Sequence, residues 1–231
     1  PRTLESLLFS IWANYVIMQK QIFKPGAIID IHFFQSDLPQ DFILEGDIAI
    51  DTEAMGLQIK RDKLCVVQLC DAKGKIALVQ FINNDYCAPN LKKLLLDKTR
   101  VKIFHFARFD LAILEHYLGI TLQNIFCTKI ASRLVRTYTD SHGLKDICRE
   151  LLGIQLSKQQ QSSDWGTQIL SKDQQEYAAR DVIYLHDLRD KFTSMLIREN
   201  RLELAQKLFD FLPVRASLDL AGWPETDIFA H

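Results

Sequence analysis

The segment Ile48-Ala49-Ile50-Asp51-Thr52-Glu53 has the pattern of a buried strand that ends in two acids. Because side chains alternate along a strand, Asp51 and Glu53 project from one face, close to the point where a loop begins. Two neighbouring carboxylates repel each other unless a cation lies between them. The segment therefore predicts a divalent-metal site at a strand end, and later segments should supply further ligands.

The hydrophobic pattern around this strand predicts an α/β domain with a mixed, five-stranded sheet flanked by helices. The expected strands are 48–53, 64–70, 75–81, 101–106 and 124–127. The turn Asp71-Ala72-Lys73-Gly74 joins the second and third strands as a hairpin, so these strands are expected to be antiparallel. Helices are expected at 89–97, up to 118, at 128–135, 143–152 and 171–188, with helical patterning to Leu212, where Pro213 should end it.

Composition narrows the classes of function. The 231 residues are 48% apolar and 25% charged, which is ordinary for a soluble globular protein. The formal net charge of -1 argues against tight binding to long polyanions but is compatible with a short anionic substrate. The sequence contains no run of about 18 apolar residues, so it predicts no membrane-spanning helix. The 5 cysteines include no C-x-x-C pair, which indicates reduced thiols in a cytoplasmic protein.

Two later segments carry the remaining candidate ligands. Asp110 follows the fourth predicted strand, and Tyr177 and Asp181 are four residues apart, so they share one helical face. Hard ions such as Mg²⁺ prefer carboxylate oxygens, and two of them about 3.5–4 Å apart stabilise both the attacking and the leaving oxygen of a phosphodiester. Asp51, Glu53, Asp110 and Asp181 suffice as ligands, and Tyr177 would face the attacking water. Taken singly, each acid also fits a solvated strand end, a helix cap or a surface pair.

The order of the motifs IAIDTE, KIFHFARFDLAIL and YAARDVIYLHDL resembles the exonuclease I, II and III motifs of the DEDD superfamily. The tyrosine four residues before the last aspartate resembles the DEDDy branch, which includes ribonuclease D. This resemblance implies an RNase H-like (DnaQ-like) fold and 3′→5′ hydrolysis with two divalent cations, Mg²⁺ or Mn²⁺, releasing nucleoside 5′-monophosphates. It assigns the four acids as metal ligands and Tyr177 as the water-orienting residue.

The second half of the chain is similar to a narrower group, the short alphaproteobacterial nanoRNase C enzymes. The similar segments are FCTKIASRLVRTYTDSHGLKDICRELLG, SKQQQSSDWG and GWPETDIFAH. The resemblance implies an oligoribonuclease acting on short single-stranded RNA, down to dinucleotides, and a closed homo-oligomeric ring.

This resemblance also sets the expected domain limits. Residues 1–25 are left as an unassigned N-terminal extension, and because the first methionine is Met18, it stays open whether 1–17 belong to the native protein. Residues 26–192 are the expected exonuclease domain. Residues 193–231 are the expected C-terminal helix and tail, which are interpreted as an oligomer interface. This segment is too short to contain the HRDC modules of ribonuclease D.

Several residues gain candidate substrate roles from the resemblance. Leu57 resembles the apolar wedge between the two terminal bases, and the alternative is an ordinary loop-core leucine. Thr52 is expected to offer its backbone N–H to the scissile nucleotide. His105 is placed to meet the terminal ribose or phosphate, and a purely structural histidine is the alternative.

A polar loop precedes the last motif. Its residues Lys158, Gln159 and Gln160 are candidates to cap a 5′ phosphate, which would favour very short substrates, and a solvated loop is the alternative. Asp140 is interpreted as a turn residue, and Asp164 as a cap or an anchor for Trp165.

Two other functions compete with the oligoribonuclease. Trimming of tRNA 3′ ends, or 3′→5′ degradation of DNA, would use the same catalytic residues, so the motifs do not separate them. A non-enzymatic nucleic-acid-binding module on a degenerate nuclease fold predicts a missing ligand, and none of the four acids is missing. The choice between Mg²⁺ and Mn²⁺ stays open, because both accept the same oxygen ligands.

Overall fold

A mixed six-stranded sheet forms the centre of the molecule. The computed structural model describes residues 30–156 and 163–230. The strands are β1 Ile31–Gln35, β2 Ile48–Ala54, β3 Leu64–Asp71, β4 Ile76–Gln80, β5 Lys102–Phe104 and β6 Ile125–Cys127. Their order is β1-β4-β3-β2-β5-β6. The β3 strand is antiparallel to both β2 and β4, as the predicted hairpin required, and the other neighbouring pairs are parallel.

The sheet has one strand more than the five expected. The additional strand, β1, lies at the edge and pairs in parallel with β4, with Ile31 opposite Ile76. Four of its five residues are only partly buried and the fifth is exposed. A short edge strand of this kind has no continuous apolar run, so its pairing partner, and not its own sequence, determines that it forms.

Helices cover both faces of the sheet. They are α1 Pro89–Leu95, α2 Ala107–Leu118, α3 Thr128–Val135, α4 Leu144–Ile147, α5 Lys172–Ile183, α6 Leu185–Arg198 and α7 Leu202–Ala221. The α4 helix continues into a π-helical turn, Cys148–Leu152. The helix expected at 171–188 is in fact two helices, since α5 ends at Ile183 and α6 begins at Leu185.

The α7 helix corrects a second expectation, because it continues through Pro213 to Ala221. Proline removes one backbone donor and disfavours a helix interior. Here Leu212 and Ala216 on either side of it are buried. Packing of this face against α2 therefore outweighs the local cost of the proline.

The same helix joins the C-terminal part of the chain to the body of the domain. The ring centroids of Phe126, in β6, and Phe209, on α7, are 4.8 Å apart. The Arg108 guanidinium at the start of α2 donates two hydrogen bonds, of 2.6 and 2.8 Å, to the Asp219 carboxylate near the end of α7. Within the described residues, no helix is long and apolar enough to cross a bilayer.

Sheet topology determines where a site forms. Since β2, β5 and β6 are parallel neighbours, their carboxyl ends meet at one edge of the sheet. Ligand sites in α/β folds are found beside such edges. The α5 helix packs across β2, β3 and β4. The third motif, on α5, is therefore brought to the strand that carries the first.

Candidate active site

Four acids from three elements converge at the carboxyl edge of the sheet. Asp51 and Glu53 lie on β2, Asp110 on the first turn of α2, and Asp181 on α5. Carboxylate oxygens of Asp51, Glu53 and Asp181 lie within 4.8 Å of one another. Asp110 joins them through Thr52, whose hydroxyl donates a 2.7 Å hydrogen bond to the Asp110 carboxylate. The structure thus brings together all four acids that the motifs singled out.

A capping box fixes the N-terminal end of α5. Its Ser171 hydroxyl accepts a 3.2 Å hydrogen bond from the Gln174 backbone N–H, and the Gln174 side chain accepts one of 2.9 Å from the Ser171 N–H. Capping of this type defines where a helix begins. Tyr177 and Asp181 lie one turn apart on this helix, and the Tyr177 hydroxyl donates to the Asp181 carboxylate. The capping signal in the sequence therefore located this element correctly.

Electrostatics in the site strongly favour protonated acids. Burial raises the pKa of Asp51 to about 7. Burial and the charges of the other three acids raise the pKa of Glu53 to about 10. Burial and the Asp51 charge likewise raise the pKa values of Asp110 and Asp181. Four carboxylates that repel one another in this way are stabilised in their charged form only when a cation is bound.

The donor set fits a hard divalent cation. All candidate ligands are carboxylate oxygens, which Mg²⁺ and Mn²⁺ accept. In the part of the chain that the structure describes, none of the ion pairs uses any of these four acids. Among the described residues no cation compensates the cluster, and its charge and geometry fit a divalent metal ion.

Tyr177 lies against a buried aromatic residue. Its ring centroid is 6.1 Å from that of Trp165, which is only 2% exposed. Burial and the nearby charges of Asp181, Glu53 and Asp51 raise the pKa of Tyr177, so the phenol stays protonated. Sequence reasoning missed the Trp165 contact, and the only available signal was the position of this tryptophan in the polar segment before α5.

Thr52 contacts two of the acids in this structure. Its hydroxyl is used by Asp110, and its backbone N–H lowers the pKa values of both Asp51 and Asp110, against the larger effect of burial. The contacts of Thr52 in this structure are therefore with the acids themselves. Its predicted contact with the scissile nucleotide stays a prediction.

His105 lies at the end of β5, but its hydrogen-bonding atoms are occupied within the protein. The ring Nδ1 is 2.9 Å from the Thr128 hydroxyl, which donates to the Phe104 carbonyl at 3.1 Å. Burial and the Lys129 charge lower the pKa of His105 to about 3, against a hydrogen bond to the His142 backbone. These contacts favour the structural alternative over contact with the terminal ribose or phosphate, which stays a prediction.

Leu57 is exposed at the tip of the loop after β2, at 84% of its surface, which excludes the loop-core alternative. The loop is fixed by Asp62, whose carboxylate accepts the Gln58 N–H at 2.9 Å and pairs with Arg61. A Cβ at position 56 would lie 2.3 Å from the Asp62 carboxylate, so a larger residue than Gly56 would displace the group that fixes the loop. The loop thus presents an apolar side chain to solvent on a fixed backbone.

Of the remaining candidate residues, the structure describes only Asp140 and Asp164. Lys158, Gln159 and Gln160 lie outside the described residues. Asp140 is an exposed turn residue whose carbonyl accepts the His142 N–H at 3.1 Å. The Asp164 carboxylate accepts the Gly166 N–H at 3.0 Å and so closes the turn that contains Trp165.

Comparison with known proteins gives a matching family and several curated relatives. A family model described as 3′-5′ exonuclease matches residues 31–197. Ribonuclease D of Gluconacetobacter diazotrophicus is 32% identical over 156 residues, which are 68% of this chain and 39% of that protein. DNA polymerase I of Aquifex aeolicus is 36% identical over 147 residues, which are 64% of this chain and 24% of that protein. The chain spans well under half the length of these curated relatives.

Two of the solved structures that resemble this chain are matched over almost their whole length. Brucella melitensis NrnC bound to pGG is 51% identical, with a TM-score of 0.84 over 88% of this chain and 100% of that one. The same protein with bound Mg²⁺ is 51% identical, with a TM-score of 0.82 over 87% of this chain and 98% of that one. Escherichia coli RNase D is 25% identical, with a TM-score of 0.65 over 78% of this chain and 48% of that one.

Proposed function

Because the chain belongs to the 3′-5′ exonuclease family, we propose that it is a metal-dependent exoribonuclease that degrades short RNA, down to dinucleotides, to nucleoside 5′-monophosphates. The observation that carries this proposal is the cluster of Asp51, Glu53, Asp110 and Asp181 beside the Tyr177 hydroxyl. The cluster has the oxygen ligands that metal-dependent phosphodiester hydrolysis requires.

Each residue of the site then has a chemical task. The four carboxylates hold two divalent cations, Mg²⁺ or Mn²⁺, which when bound polarise the scissile phosphate and offset the charge of the site. Tyr177 keeps its proton, so it orients the attacking water through a hydrogen bond. The Thr52 hydroxyl keeps the Asp110 carboxylate turned towards β2.

Two observations support a short substrate. The similarity to NrnC bound to pGG extends over 88% of the chain, whereas the ribonuclease D and polymerase matches cover a minor part of their much longer chains. The exposed Leu57 is also placed to act as a wedge between two terminal bases. An apolar wedge fixed on a rigid loop would limit how far the 3′ end enters.

Assembly and location belong to the same proposal. We infer a homo-oligomeric ring in the cytoplasm, with residues 193–231 at the subunit interface. Support comes from apolar side chains that stay exposed on α7 and the tail, namely Leu204, Leu208, Trp223 and Phe229. The tail is otherwise attached within the chain, since Arg108 and Arg215 donate to the carbonyls of Pro224 and Trp223.

Trimming of tRNA or DNA 3′ ends is the second candidate function, and the ribonuclease D and DNA polymerase I matches favour it. Purified protein with Mg²⁺ or Mn²⁺ should cleave a labelled dinucleotide faster than a 20-residue RNA or a DNA duplex. Asp51→Ala should abolish all cleavage. Preference for the long substrates would reverse the ranking, and full activity of Asp51→Ala would refute the metal assignment.

A further inference from the structure

A buried glutamine in the centre of the sheet has no role in the chemistry described above. Gln68 lies on β3, whose residues are all buried, and it is 0% exposed. Neither its Nε2 nor its Oε1 has a hydrogen-bond partner among the described residues. An amide that leaves water without finding a partner lowers the free energy of unfolding. Groups of this kind in native proteins are typically explained by a bound ion, a water or a catalytic role.

The other buried polar side chains near Gln68 do have partners. Asp71, at the end of β3, accepts hydrogen bonds of 2.8 to 2.9 Å from three backbone N–H groups. The Gln80 Nε2, on β4, donates to the Thr167 carbonyl at 2.7 Å. Gln174, on α5, uses both the oxygen and the nitrogen of its amide. Gln68 is thus the one buried glutamine of the described residues whose amide is unpaired at both atoms.

The strand register places Gln68 directly opposite Asp51. The two residues are paired across the antiparallel strands β2 and β3. Directly opposed side chains lie on the same face of a sheet, with Cβ atoms about 4.5–5.5 Å apart, so the amide is within reach of the carboxylate. From β4, the residue opposite Gln68 is the apolar Leu78. Asp51 is therefore the polar side chain that directly opposes the unpaired amide.

Two of the other three acids already have a side-chain donor. The Thr52 hydroxyl donates to Asp110. The Tyr177 hydroxyl donates to Asp181. In the part of the chain that the structure describes, the Asp51 carboxylate has the Thr52 backbone N–H as a donor but no side-chain donor. Carboxylates that bind metals are generally oriented by outer hydrogen bonds of this kind. An acceptor that lacks a side-chain donor thus lies opposite a donor that lacks an acceptor.

We propose that Gln68 is a positioning residue whose Nε2 donates a hydrogen bond to the Asp51 carboxylate and holds it in the orientation that binds a divalent cation. A carboxylate fixed in this way loses less freedom when the cation binds, so the affinity of the site rises. Gln68 itself contacts neither solvent nor substrate, since it is fully buried. The assignment rests on the proposed metal-dependent function and adds a residue outside the three motifs.

The test measures cation affinity and fold stability separately. Gln68→Met keeps the length of the side chain but removes the amide. Calorimetric titration with Mn²⁺ should give a Kd about tenfold higher than for the unmodified protein. Tm in chelator should stay the same or rise, because no paired polar group is lost. The Mn²⁺ concentration for half-maximal dinucleotide cleavage should rise by a similar factor, whereas the rate at saturating Mn²⁺ should recover.

Gln80→Met is the matched control. It makes the same change on the same face of the sheet, since Gln80 opposes Val66, two residues before Gln68, but it lies one strand further from Asp51. It loses the hydrogen bond to the Thr167 carbonyl, so Tm should fall while the Mn²⁺ Kd stays unchanged. Should Gln68→Met fail to fold, Gln68→Leu is measured by the same criterion.

An unchanged Mn²⁺ Kd in a folded Gln68 variant would overturn the inference, whatever its Tm. An equal rise of Kd in Gln80→Met would also overturn it, because a general loosening of the sheet would then be the cause. Absence of Mn²⁺ binding by the unmodified protein would instead refute the proposed metal-dependent function, so the two failures are distinguishable.

Discussion

At the scale of single residues, the chemistry depends on acids that resist ionisation. The pKa values of Asp51 and Glu53 rise from 3.8 and 4.5 to about 7 and about 10 because the carboxylates are buried together. Glu53 and its neighbours are therefore stable as a charged group only with a bound cation. The fold itself therefore favours a bound cation at this site, independently of the proposed reaction.

A pH prediction follows for the metal-free protein. The native state keeps protons on these acids that the unfolded chain releases above about pH 4, so the free energy of unfolding should fall as pH rises from 5 to 8. Added Mg²⁺ or Mn²⁺ should reverse this loss, and more so at pH 8. Thermal unfolding with and without chelator measures both effects. Stability that rises with pH in chelator would contradict the prediction.

The Tyr177 hydroxyl gives a second prediction at this scale. Tyr177→Phe keeps the ring against Trp165 but removes the group that orients water, so kcat should fall about 100-fold with KM little changed. Steady-state kinetics on a dinucleotide is the measurement. Tyr184→Phe, which removes a hydroxyl just beyond α5, is the control and should retain activity. Wild-type kcat in Tyr177→Phe would exclude this role.

At the scale of elements, α7 is attached to the helix that carries Asp110. Asp219 accepts hydrogen bonds from Arg108 on α2 and from Arg215 on α7 itself, the latter at 2.5 and 3.1 Å. Burial opposes ionisation of Asp219, but the two guanidiniums lower its pKa overall. The Arg108–Asp219 ion pair therefore links the C-terminal helix to the first turn of α2, two residues before Asp110.

We expect Asp219→Ala to weaken this attachment. Removing the carboxylate leaves two partly buried guanidiniums without their partner, so Tm should fall by about 4–8 °C. Asp210→Ala is the control, since Asp210 is an exposed residue of the same helix whose carboxylate accepts only a 2.9 Å hydrogen bond from Gln206. A similar small Tm change in both variants would show that the link contributes nothing.

At the scale of the whole molecule, the C-terminal part of the chain has two surfaces. One face of α7 is buried against α2 and β6, with Phe209 at its centre. The other retains exposed Leu204 and Leu208, and the tail retains exposed Phe229, whose ring centroid lies 6.1 Å from that of Phe211. The inner face belongs to the domain core, and the outer apolar side chains remain exposed.

This arrangement predicts the native mass. Light scattering should give a multiple of the 26.7 kDa chain, because burial of the outer α7 face between subunits removes apolar surface from water. Leu204→Glu with Leu208→Glu should shift the protein towards the single-chain mass without unfolding it, since both side chains are exposed. A single-chain mass for the unmodified protein would remove the ring from the proposal.

The sequence alone determined the parts that depend on local pattern. The β-branched run before Asp51, the capping box at Ser171 and the four-residue spacing of Tyr177 and Asp181 each have a local physical cause, and each was predicted correctly. The order of the motifs likewise identified the family. These features need no knowledge of distant contacts.

Only the tertiary structure decided the features that depend on residues far apart in sequence. The β1 strand forms because β4 offers a free edge, α7 continues through Pro213 because α2 covers its inner face, and Thr52 binds Asp110 across 58 positions. The raised pKa values of the acids arise only once β2, α2 and α5 bury them together. Local propensity selects the elements, whereas burial of like charges in a shared site creates an environment that favours a bound cation.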